Sequence, residues 1–123
     1  MADDVHTIDE RTTQKYSFTL KDENGVAIPG PSLDACELTL YDLTKQAADQ
    51  PSIINSREDV DIKANVDGSG VCTFTFLPAD NLILDDTKAF EPHVALFEWT
   101  YNGATGRGQW QLVLNVRNAE RVP

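Results

Sequence analysis

From Gln14 onward the apolar side chains of this chain recur at every second position, and that spacing dictates strands rather than helices. Tyr16, Phe18 and Leu20 alternate with Lys15, Ser17 and Thr19. Cys36, Leu38 and Leu40 alternate with Glu37, Thr39 and Tyr41 across Ala35 to Leu43, and Cys72, Phe74 and Phe76 alternate with Val71, Thr73 and Thr75. In the last run, Trp110, Leu112, Leu114 and Val116 oppose Gln109, Gln111 and Asn115. A helical face would need a period of about 3.6, and no segment gives a convincing one.

Turn chemistry separates the runs. Asn24-Gly25 is a strong short turn signal, because both residues tolerate positive φ. Pro29-Gly30-Pro31 cannot lie inside a central strand, and Asp67-Gly68-Ser69-Gly70 reads as a tight turn. Asn102 to Gly108 reads as the flexible tip of a hairpin that joins His93–Tyr101 to Gln109–Val116. Shorter pieces fill the intervals: a strand at Ser52 to Asn55, a charged connector from Arg57 to Ile62, and one turn of 3₁₀ helix over Leu77 to Asn81. A brief strand is expected at Leu82 to Leu84, and a helical turn over Lys45 to Gln50 that Pro51 ends. The expected fold is all-β, an immunoglobulin-like antiparallel β-sandwich of about seven strands.

With 123 residues there is room for one domain, assigned to 12–123 behind a flexible acidic arm at 1–11. Apolar residues make up 41%, enough for a core that needs no metal or disulfide. The formal charge of −10 repels phosphate backbones and anionic lipid, so neither nucleic acid nor membrane is an expected partner. The Met1–Thr7 start has no basic or apolar run of the secretory kind, so Cys36 and Cys72 are expected as thiols in a reducing cytosol.

Chemistry-bearing motifs are absent from the sequence. There is no G-x-S-x-G, and the two histidines, His6 and His93, stand far from both cysteines in a pattern unlike a zinc site. Asp67, Asp80, Asp85, Asp86 and Glu91 have no EF-hand spacing, and turn formation accounts for them. The expectation is no enzyme, no catalytic residue, no metal and no cofactor.

One strand departs from a simple sandwich. On His93–Tyr101, Ala95, Phe97 and Trp99 form one apolar row, but Val94 and Leu96 form part of another. Val113, out of step with Leu112 and Leu114, extends that second row. Either a loop from Asp80 to Pro92 covers it or it is a contact surface. Val94, Leu96 and Val113, with Arg107 and Tyr101 at the hairpin tip, are therefore the candidate partner-contact residues. An alternative is a carbohydrate-binding module using Trp110 and Tyr101, although both Trp99 and Trp110 carry inward parity.

Several segments together resemble a known family. Tyr16-Ser17-Phe18-Thr19-Leu20-Lys21-Asp22, Gly70-Val71-Cys72-Thr73-Phe74-Thr75-Phe76 with Pro78-Ala79-Asp80, His93 to Tyr101 and the closing Leu112 to Arg117 fall in an order similar to the immunoglobulin-like modules of tailed bacteriophage virions, notably the N-terminal domain of the baseplate upper protein family. The similarity covers about Gln14 to Asn118 and consists of strand patterns. It implies a non-enzymatic virion protein, made in the host cytoplasm, that docks on other virion proteins of capsid, neck or tail in several symmetric copies. In the baseplate family the module continues into a receptor-binding device. Here the sequence closes at Val122-Pro123, so a head decoration, collar or tail adaptor role is the expectation.

Overall fold

The computed structural model describes residues 4–42, 52–81 and 89–118, so the expected helical turn at Lys45–Gln50 and strand at Leu82–Leu84 lie outside the described residues. Among the described residues there are eight strands: β1 Asp4–Asp9, β2 Gln14–Thr19, β3 Leu33–Asp42, β4 Ser52–Ile53, β5 Val60–Asp61, β6 Val71–Phe76, β7 Phe90–Tyr101 and β8 Gly106–Arg117; six fall on the expected strands, while β1 and β5 come from the expected arm and charged connector. The larger sheet runs β1-β8-β7-β3-β4, with β5 also on β3, and the smaller pairs β2 with β6. β2 and β6 cross to the smaller sheet while the other strands stay in the larger one, and the inner faces of the two sheets share one core, a β-sandwich.

The core is built by alternation. Leu38, Phe97 and Trp110 form one inward row across β3, β7 and β8, and Leu40, Ala95 and Leu112 the next. From the opposite sheet Tyr16 and Phe18 reach this surface: the Phe18 and Phe97 ring centroids are 4.7 Å apart, and Phe18 stacks on Trp110 at 5.5 Å. Such aromatic contacts add about 0.5–1.5 kcal/mol each beyond the area they bury.

Turn residues carry the backbone where the sequence places them. Gly25 has φ +77°, and Asp22 Oδ1 accepts from the Asn24 and Val26 amides, closing the hairpin that brings Lys21 opposite Ala27. Asp67 Oδ1 does the same for Ser69 and Val71, with Gly70 at φ +82°.

Two expectations are corrected. Residues 1–11 are not simply a flexible arm: Asp4–Asp9 is a strand that pairs parallel to β8, from Asp4 opposite Leu112 to Asp9 opposite Arg117. Its alternation is invisible in sequence because Ile8 is its one buried residue. What fixes the strand comes from elsewhere: Arg117 Nε donates to Asp9 at 2.7 Å, and Tyr16 Oη donates to Asp4 at 3.1 Å.

The second correction concerns the glycine-rich tip. The turn is only Asn102–Thr105, and Gly106 and Gly108 belong to β8, directly opposite Tyr101 and Trp99. Each glycine lies over an aromatic ring, so close that a Cβ on Gly108 would be 2.4 Å from the Trp99 indole nitrogen. These glycines therefore make room for inward aromatic rings. Because the indole is packed in the core, Gly108→Ala is expected to cost about 1–3 kcal/mol by overpacking, measured as a lower urea midpoint. Gly68→Ala, whose methyl meets open space, is expected to leave the midpoint unchanged.

Candidate functional site: the outer sheet face and the edge cleft

Residues directly paired across a sheet share a face, so the register of the larger sheet sorts its outward side chains into rows. One row is apolar over five strands: Ile53, Tyr41, Val94, Val113 and Val5 are successive partners. Within it Val94 and Tyr41 are buried, Ile53 and Val113 are half-buried, and Val5 is 61% exposed. The next row holds Thr39, Leu96 and Gln111. The one after is acidic, with Asp61, Glu37 and Glu98 successive partners and Gln109 beyond. Carboxylates placed directly opposite one another repel, and among the described residues Glu98 alone of the three is paired with a cation, Arg107 at 3.3 Å. The accessible apolar positions of the face are therefore Ile53, Val113, Val5 and Leu96, with the acidic row beyond Thr39, Leu96 and Gln111.

The five predicted contact residues divide accordingly. Leu96 and Val113 are half-buried on the outer face, and Arg107 is exposed beside Glu98. Val94 lies in the same row but is covered. Tyr101 is corrected from tip surface to core: its ring is buried under Gly106, and its hydroxyl donates to Glu23 at 3.2 Å. Burial first, and the neighbouring Glu23 carboxylate second, push its phenol above its ordinary pKa.

A second feature is a cleft of about 660 Å³ where the smaller sheet meets the edge of β8, with Lys21, Glu23, Trp99, Arg107, Gln109 and Trp110 among its lining residues. Trp110 is half-buried, and its Nε1 donates to Tyr16 Oη at 2.7 Å. Tyr16 in turn donates to Asp4, which also bonds His6 Nε2 at 3.1 Å. Burial works to raise the Asp4 pKa, but the hydrogen bonds from His6 and Tyr16, the charge of His6 and the Val5 amide outweigh it and hold it low. Trp99 Nε1 is buried without a hydrogen-bond partner.

Three polar residues occupy inward positions that sequence reasoning did not foresee: Asp42, which it did not single out, and His93 and Glu91, which it set aside on spacing. Asp42 and His93 are direct partners that continue the core rows of β3 and β7, and Glu91 follows one pleat on. All three are buried, with His93 Nε2 2.7 Å from Glu91 Oε1. Extending the parity of Ala95, Phe97 and Trp99 backward by two and four residues would have found His93 and Glu91.

Asp80 is the other case: a turn former in the sequence reading, it is a fully buried carboxylate in the structure. It accepts from Arg57 Nε (2.9 Å) and Nη2 (3.2 Å), Asn55 Nδ2 (2.8 Å) and the Leu77 amide (2.7 Å). Among the described residues no group of three or more potential metal ligands gathers. No protein-family model, curated protein or solved structure matches the chain.

Burial opposes ionisation of Asp80, but the donors from Arg57, Asn55 and Leu77 outweigh it and keep its pKa below the usual carboxylate value. A depressed folded pKa stabilises above the unfolded value of about 4 and loses that contribution as pH falls through the folded value. Asp80→Ala is therefore expected to cost about 2–4 kcal/mol at neutral pH, since Arg57, partly solvated, recovers some hydration. Asp80→Asn should flatten the decline in stability below about pH 4, checked by urea unfolding across pH.

Proposed function

We propose that this protein is a non-enzymatic structural component of a tailed phage virion, docking through the outer face of its larger sheet onto a capsid, neck or tail protein. The observation that carries the reading is an outer face where Val5, Val113, Ile53 and Leu96 stay accessible, with three carboxylates, Asp61, Glu37 and Glu98, one row beyond Leu96. A surface of this kind suits a protein partner that sets an apolar ridge against Val5, Val113 and Leu96 and basic side chains against Asp61, Glu37 and Glu98. Complementary charge of that sort sets orientation and association rate, while the apolar contact supplies affinity. The strand-pattern resemblance to virion modules supports the setting, and the net charge of −10 favours a basic partner over a second copy meeting face to face.

The second reading, a carbohydrate-binding module, is favoured by one observation: the half-buried Trp110 and the unpartnered Trp99 Nε1 both belong to residues lining the edge cleft. Loss of glycan-array binding on Trp110→Ala is its expected signature.

Purified virions from the phage encoding this chain should contain the protein in a fixed copy number by quantitative mass spectrometry, at a symmetric position by cryo-electron microscopy. Leu96→Asp should abolish incorporation, and Glu37→Lys should reduce it by about tenfold or more, on the scale of charge contacts at interfaces. Both variants are expected to keep the wild-type circular dichroism spectrum. Particles without the protein, or Leu96→Asp incorporated at wild-type level, would refute the docking role.

A further inference from the structure

Cys36 and Cys72 are far apart in sequence but occupy one layer of the core. Cys36 is the direct partner of Trp99 in the larger sheet, and Cys72 is the direct partner of Phe18 in the smaller. The Phe18 and Trp99 rings meet across the core with centroids 6.0 Å apart, so the two cysteines beside them face each other from opposite sheets. The two thiols are near enough to shift each other's ionisation, Cys36 upward and Cys72 downward. Both are wholly buried and unbridged.

The chain also pinches the sheets together here. The Ile62 amide donates to the Cys36 carbonyl at 2.8 Å, and four residues later Val66 is bridged to Cys72. Between them lies a single 3₁₀ turn, Lys63–Asn65. At about 2 Å of rise per residue such a turn spans roughly 8 Å, less than the usual spacing of about 10 Å between packed sheets. A disulfide needs its Cα atoms closer still, about 4.4–6.8 Å apart, so a corner of this kind is where a sandwich comes nearest to accepting one.

We propose that Cys36 and Cys72 are a latent inter-sheet disulfide, closed by a low-molecular-weight disulfide such as oxidised glutathione when the chain meets an oxidising medium. The chemistry balances as two exchanges. One cysteine thiolate attacks a glutathione sulfur and expels a glutathione thiolate, leaving a mixed disulfide. The second cysteine thiolate then attacks the protein-side sulfur of that bond and expels the other glutathione. Two protein thiols are oxidised, one glutathione disulfide is reduced, and the two protons pass to the released thiolates.

The pair is protected in the native state. The neighbouring Cys72 thiol, and burial after it, push the Cys36 thiol well above its ordinary pKa, and neither sulfur is open to solvent. Oxidation therefore runs through an opened or unfolded chain, and folding conditions decide whether the bond is made.

The test uses the full chain, unfolded in denaturant with reductant, then refolded in parallel with reduced glutathione alone or with a mixture containing oxidised glutathione. The expected product of the second arm is a monomer lighter by two hydrogen masses, with thiol titration falling from two to none and a Cys36–Cys72 cross-linked peptide. Constraining the unfolded chain between the two sites should raise the melting midpoint by on the order of 10 °C over the reduced protein. Native protein given the same mixture should react far more slowly. Two free thiols, stable glutathione adducts or disulfide-linked dimers as the main refolded product would overturn the proposal. So would an intramolecular bond that lowers the melting midpoint, since the native geometry would then not accept it.

Discussion

Much of this sandwich hangs on one buried carboxylate. Asp80 sits in the turn after β6, on the smaller-sheet side of the molecule, yet its acceptor capacity is filled mainly by Asn55 and Arg57 from the segment flanking β4 and β5. The Arg57 carbonyl is meanwhile bound by the Leu40 amide of β3, so one residue holds the larger sheet through its backbone and the turn through its guanidinium. The same guanidinium lies 5.4 Å from the centre of the Phe74 ring on β6. Next door, Asn81 donates its amide to the Thr12 carbonyl and accepts the Arg11 amide through its own carbonyl, fastening the corner between β1 and β2. A four-residue turn therefore joins three segments distant in sequence. An unpaired carboxylate there would be expensive, because burial without donors costs several kcal/mol or more.

The parts of the fold that were legible in the sequence are those where one local rule decides the outcome. Val71–Phe76 has a clean alternation and strong flanking turns, and the strand has those bounds. Asn24-Gly25 and Asp67 to Gly70 form turns because left-handed backbone geometry and carboxylate-to-amide bonds are local matters. The doubled apolar pattern of Val94 and Leu96 left open whether the second face was covered or a contact surface; β7 is a central strand flanked by β3 and β8, with Val94 buried and Leu96 half-buried. The sequence could not supply the register that lines Val94 up with Tyr41, Val113 and Val5, since pairing between distant strands is a tertiary property.

The less legible parts are those where polar groups are satisfied at a distance. Sequence spacing set His93 aside as a zinc ligand and assigned Glu91 to a turn, but the two are buried on β7 and hydrogen-bonded to each other. Asp80 reads as a turn former, and nothing near it in sequence announces Asn55 or Arg57. Of the candidate contact residues, Tyr101 was misplaced for a related reason: its position at a glycine-rich tip suggested exposure, whereas Gly106 is the partner that lets its ring turn inward. Glycine across from an aromatic is a signal that needs the register before it can be read.

The parallel pairing of β1 with β8 has a consequence for the order in which the molecule is assembled. Asp4–Asp9 is synthesised before every other described strand, and its partner Leu112–Arg117 belongs to the strand synthesised after all of them. No other strand pairs with β1 among the described residues, so it has no neighbour to bond until β8 has been made. The ladder between them closes one of the longest loops the chain can make, a step whose entropy must be met before any contact repays it. The earliest described strand thus waits for the latest, and the sheet edge along the second half of β8 stays uncovered until β1 docks on it.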